Sequence, residues 1–61
     1  MGAMTQYLTV EDVAAMIRST PQAVRYRRHR GTGPRSFKVG RRVLFDPADV
    51  SEWIEQQKAA S

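Results

Sequence analysis

The stretch RSTPQAVRYRRHRGTGPRSFKVGRR, residues Arg18 to Arg42, holds nine of the chain's ten Lys and Arg residues and no Asp or Glu. All six acids lie outside it, at Glu11, Asp12, Asp46, Asp49, Glu52 and Glu55, so a cationic middle sits between acidic ends in a chain of net charge +4. Such a block repels itself unless an anionic partner relieves it. A phosphate backbone is the natural partner, because Lys and Arg neutralise it and release its condensed counterions. A plain solvated basic face is the competing reading. It accounts less well for Gln22, Tyr26 and His29 interleaved with the arginines, or for the glycines that punctuate the run.

The same stretch carries start and stop signals. Thr20 is suited to cap a helix, and Pro21 to occupy its first position, where a missing N–H costs nothing. Gly31 is suited to the left-handed residue that ends it. The predicted helix runs from Pro21 to His29 or Arg30, with few apolar anchors: Ala23, Val24 and the stem of Arg27 or Arg28. A helix with so narrow a seat and so wide a polar surface suits a partner other than protein. Gly31-Thr32-Gly33-Pro34 reads as a loop. Phe37-Lys38-Val39 and Val43-Leu44-Phe45 then flank Gly40-Arg41-Arg42. A turn of those three residues pairs Val39 with Val43 and Phe37 with Phe45 and puts all four on one face. The tip of this candidate wing carries Arg41 and Arg42.

Working outward, Thr9-Val10-Glu11-Asp12 is a helix start, with the Thr9 hydroxyl placed to accept from the Asp12 N–H and Leu8 and Val13 placed as a hydrophobic staple. Val10, Val13, Ala14 and Ile17 recur at helical spacing, predicting a helix from Val10 to Ile17. It is joined to the next helix by Arg18-Ser19-Thr20, which makes a helix-turn-helix. Asp46-Pro47-Ala48-Asp49 repeats the start signal, with Phe45 and Val50 as a second staple. Val50, Trp53, Ile54 and Gln57 share a face, so a third helix is predicted from Pro47 to Gln57, closing the core with Trp53, and Lys58 to Ser61 is predicted to fray. The fold class is α+β: a small winged helix-turn-helix with a two-stranded wing and a C-terminal helix.

Composition narrows the function. Sixty-one residues suit one small domain, taken as residues 4–61, with Met1 to Ala3 read as a cloning remnant. Without cysteine there is no disulfide framework and no thiolate metal site, and one histidine does not make a metal centre. No apolar run approaches a membrane span and no signal peptide is visible, so a cytoplasmic protein is expected. No G-x-S-x-G, metal-ligand cluster or phosphate-cradling loop appears, and Gly31-x-Gly33 precedes Pro34 and a hairpin rather than opening a helix. Neither an enzyme nor a cofactor is expected. A protein-interaction or acidic-lipid module has only the charge in its favour.

Several pieces of the chain resemble the phage excisionases, the recombination directionality factors related to MerR-type winged helices. They are Tyr7 to Ala14, Ala23 to Tyr26, Arg28 to Pro34, Lys38 to Val43 and Asp49 to Ile54, so the resemblance covers residues 7–55. The GTGP loop and the K-V-G-R-R wing are similar to those of actinobacteriophage members, mycobacteriophage ones among them. The resemblance implies that the second helix enters the major groove, with Gln22, Arg25 and Tyr26 facing groove or phosphate. It also implies that Arg41 on the wing reaches the minor groove. Arg27 departs from the pattern: the family often has Trp there, packed on the core. Arg27 either packs by its stem or adds a phosphate contact.

The candidate DNA-binding residues are Thr20, Gln22, Arg25, Tyr26, Arg28, His29, Lys38, Arg41 and Arg42. Gln22 has the donor–acceptor pair to read adenine. Tyr26 either buries its ring beside Val24 or offers its hydroxyl to a phosphate, and His29 is solvated or phosphate-facing. The expected partners are double-stranded DNA at an attachment-site arm, the phage integrase, and neighbouring copies of the chain bound head-to-tail. The expected setting is the cytoplasm of a bacterial host. A small winged-helix transcriptional repressor is the alternative; a MerR-type regulator carries a dimerisation helix and an effector domain, which this chain is expected to lack.

Overall fold

The computed structural model describes residues 6–61, and the cloning-remnant reading of Met1 to Ala3 lies outside the described residues. The elements in order are β1 (Leu8–Thr9), α1 (Val10–Met16), α2 (Pro21–Arg30), β2 (Phe37–Val39), β3 (Arg42–Phe45) and α3 (Pro47–Ala60). Each helix begins where a short polar side chain satisfies its free N–H groups. Thr9 Oγ1 accepts from the Asp12 N–H at 3.1 Å while Asp12 Oδ2 accepts from the Thr9 N–H at 3.0 Å, a reciprocal capping box. Thr20 Oγ1 accepts from the Ala23 N–H at 3.1 Å, and Asp46 Oδ1 from the Ala48 N–H at 2.8 Å. Pro21 and Pro47 both stand at first helical positions.

The helix ends are equally local. Gly31 closes α2 at φ +72, with the Thr32 N–H reaching back to the Arg27 carbonyl at 2.9 Å. At the end of α1 the same role falls to Arg18, at φ +56. The Ser19 N–H donates to the Ala14 carbonyl at 2.8 Å and the Arg18 N–H to the Ala15 carbonyl at 3.2 Å. This is the paired geometry that usually carries glycine. An arginine there is strained, since a left-handed conformation crowds its Cβ. Arg18→Gly is therefore expected to stabilise the protein by roughly 0.5–1 kcal/mol, strain relief less the added freedom of the unfolded chain. A rise of a few degrees in Tm on thermal melting is the result to look for, and no change or a fall would show the strain to be absent.

The sheet is three-stranded and antiparallel in the order β1-β3-β2. β1, expected only as a lead-in, pairs Leu8 with Phe45 and Thr9 with Leu44. The hairpin register differs from the expected one: Phe37 pairs with Leu44, Lys38 with Val43 and Val39 with Arg42. The turn is thus Gly40-Arg41, two residues rather than three. Gly40 lies at φ +61 and Arg41 does not have positive φ, the pattern of a II′ turn whose twist matches the strands. The four apolar residues consequently do not share a face. Val43 and Phe45 turn toward the core, while Phe37 and Val39 are exposed. Phe37 is partly covered instead by Tyr7, edge-on at 5.1 Å.

Val10, Val13, Ala14, Val24, Phe45 and Val50 form the core cluster, with Leu8, Ile17, Val43 and Ile54 packed against it. Both staple pairs fall where expected; Val13, Val50 and Phe45 are among the most buried side chains. α3 continues to Ala60 rather than fraying after Gln57. Lys58, Ala59 and Ala60 are strong helix formers, and Lys58 suits the negative helix end.

Trp53, 9% exposed, closes the core from α3. Its indole Nε1 donates to the Thr32 carbonyl at 3.0 Å, and the Arg27 guanidinium lies over its ring at 5.5 Å. Arg27 thus packs on Trp53 through its guanidinium, by a cation–π contact, rather than by its stem. The loop is seated so closely that a Cβ on Gly33 would stand 3.2 Å from Arg27 Cβ, and Pro34 is buried.

Candidate nucleic-acid interface

Only Val24 of α2 is buried. At about 100° per residue, the direction opposite Val24 is occupied by Gln22, Tyr26 and His29, with Arg25 on one flank and Arg30 on the other. Arg27 and Arg28 fall to either side of Val24 itself, closer to the protein. The helix therefore presents one stripe of hydrogen-bonding side chains outward, and three of its four arginines, Arg27, Arg28 and Arg30, lie in the last turn, where the helix dipole favours cations.

All nine candidate residues are exposed. The α2 start places Thr20 and Gln22 together; Thr20 Oγ1 accepts the capping bond and keeps its own proton to donate. Arg25 Nη2 donates to Glu11 Oε2 on α1 at 3.3 Å, between side chains 60% and 63% exposed. Exposed pairs of this kind contribute about 0–1 kcal/mol, so Arg25 is steered but not locked. Tyr26 is 59% exposed, so its ring is not buried beside Val24; its hydroxyl accepts from Arg30 Nη1 at 3.1 Å, and that guanidinium lies over the ring. Arg28 turns back, its Nε donating to Ser36 Oγ at 2.9 Å, which ties α2 to the segment leading into the wing.

α2 and the wing meet in a cleft of about 380 Å³ lined by Arg25, Arg41, Arg42 and Glu11 together with Thr9 and Val43. The structure thus brings Arg25 of α2 to the two wing-tip arginines. Lys38 stands on β2 opposite Val43 and outside the cleft lining, and His29 lies on the α2 stripe. Among the described residues Lys38, Arg41 and Arg42 form no ion pair, which leaves their donors for an anion. Glu11 and Arg30 are the site neighbours that sequence reasoning missed. Glu11 is separated from Arg25 by 14 residues, with no local spacing to connect them, whereas Arg30 follows Tyr26 by one helical turn. No three His, Cys, Asp or Glu side chains converge as metal ligands, and no helix is long and apolar enough to cross a membrane, among the described residues.

An exposed, cation-flanked second helix beside an arginine-tipped hairpin defines a small winged helix-turn-helix, a class that binds DNA. Comparison with protein families agrees: a model described as a helix-turn-helix domain matches residues 7–58, and the chain belongs to that family. Comparisons with curated proteins and with solved structures returned no match.

Base reading is expected of the α2 stripe. Gln22→Ala and Arg25→Ala should each relax base preference by about 1–3 kcal/mol per lost base contact, whereas loss of a phosphate contact weakens all sequences alike. Selection from a random duplex pool distinguishes the two. Unchanged affinity and base preference for Gln22→Ala would remove α2 as the reader.

Proposed function

We propose that this protein is an excisionase, an architectural DNA-binding protein that bends the duplex and directs a tyrosine recombinase, the integrase, toward prophage excision. The observation that carries the reading is one reading helix and one wing joined at the Arg25–Arg41–Arg42 cleft, on a chain whose residues 7–55 resemble that family. Such a unit covers about one turn of duplex. Several copies on adjacent sites near the attachment site would bend the DNA and favour the excisive assembly. Bending a short site costs on the order of 1–6 kcal/mol, which the phosphate contacts of several copies together can offset. Helices α1 and α3 carry acids, and the loop from Arg30 to Arg35 is basic, so neighbouring copies can meet head-to-tail in a non-closing contact.

On this reading residues 4–61 act as one domain in the cytoplasm of a bacterial host, the source being an actinobacteriophage. The protein performs no chemistry and needs no metal or cofactor. Gel shifts on one-site and three-site duplexes, with circularly permuted probes, test the proposal. Cooperative filling and a bend, together with stimulation of integrase-driven excision, are expected. Independent filling without a bend, and repression of a nearby promoter instead, would favour the small winged-helix repressor.

A further inference from the structure

Arg25 is the one α2 cation with a carboxylate partner among the described residues, and that partner is the only acid lining the cleft it shares with Arg41 and Arg42. Glu11 sits in the first turn of α1, held there by the Thr9–Asp12 capping box, so its backbone position is firm. An acid in this place works against DNA affinity, since every phosphate that approaches the cleft meets it. It also does little for the fold, because an exposed ion pair adds little stability. Its consequence lies in what it does to Arg25.

An arginine beside DNA has two kinds of target. Phosphate is anionic and carries no sequence information; the O6 and N7 edge of guanine is uncharged and does. A carboxylate holding one N–H of the guanidinium repels the first target, with its full negative charge, more strongly than the second, whose O6 and N7 carry only partial charge. The guanidinium has five donors, so one can stay on Glu11 Oε2 while the remaining fork addresses a base. We propose that Glu11 is a specificity-determining, positioning residue for duplex binding: it holds Arg25 in the α2–wing cleft and biases it toward a guanine edge and away from phosphate. The proposal rests on duplex binding by α2 and not on the excision role, so its failure would leave that role standing.

The test uses the full chain and duplexes selected from a random pool, with the unselected pool as the non-specific probe. Glu11→Gln keeps the shape and removes the charge. It is expected to bind the unselected pool about threefold to tenfold more tightly at low salt, with a salt slope steeper by about one. Its selected sequences should lose a guanine preference at one position, so the ratio of selected to unselected affinity falls. Glu11→Asp, which keeps the charge, should retain that ratio to within about twofold. In an Arg25→Ala background Glu11→Gln should still tighten non-specific binding but leave base preference unchanged, because the pairing it acts through is gone. Thermal melting checks that each variant is folded. The proposal is overturned if Glu11→Gln leaves the selected sequences and the ratio as in the parent protein, or if it changes base preference equally with and without Arg25.

Discussion

Replacing Trp53 by Ala is expected to cost about 3–5 kcal/mol, enough to unfold most of a domain of this size. Three contacts are lost at once. The buried ring is removed, the Thr32 carbonyl loses its indole donor, and Arg27 loses the face it lies over. Arg27 and Thr32 sit at the end of α2 and in the loop after it, so the damage reaches α2 directly. Trp53→Phe separates these contributions: it keeps an aromatic face for Arg27 and removes the hydrogen bond, for an expected loss of about 1–2 kcal/mol. Thermal or urea melting of both variants gives the comparison. A Trp53→Ala protein that melts near the parent temperature would show that α3 does not close the core.

Duplex binding is expected to weaken roughly a thousandfold between about 50 and 200 mM monovalent salt, the loss that goes with six or so phosphate contacts. The basis is the cationic middle of the chain, and within it the exposed Arg41 and Arg42, which have no ion-pair partner among the described residues. Removing both wing-tip arginines should reduce the slope of log affinity against log salt by about two and weaken binding across sequences. Filter binding or fluorescence anisotropy over a salt series measures it. Equal affinity for heparin and a selected duplex would mean that the protein is a non-specific polyanion binder, and a flat salt response would mean that the cationic middle does not contact phosphate.

The two experiments probe different layers, and the division between them runs through the chain itself. The helix starts at Thr9, Thr20 and Asp46 and the stop at Gly31 are legible in the amino-acid sequence, because a cap is a bond between a side chain and a backbone group two or three residues away. The exposed stripe on α2 is legible for a similar reason: with Val24 as its main anchor, the helix has only one way to sit. Helix-turn-helix, wing and closing helix follow from those signals in order. The end of α3 is the exception among the helix boundaries: terminal fraying is the general expectation, and here Lys58, Ala59 and Ala60 keep the helix going.

Features that depend on distant parts of the chain meeting are not legible in this way. β1 is a strand of two residues, defined only by β3 lying beside it. The hairpin alternation is compatible with a turn of two or three residues, and the choice rests on whether Gly40 enters a left-handed conformation and whether Tyr7 is present to cover an outward Phe37. The partner of Arg27 is 26 positions along the chain, Trp53 finds Thr32 across 21 residues, and Arg25 finds Glu11 across 14. Hydrogen-bonding chemistry within one helical turn is written into neighbouring residues and determined the helices and the basic face. The strand register, the clamp on Trp53 and the acid that holds Arg25 depend on which surfaces the folded chain presses together, and only the tertiary structure decided them.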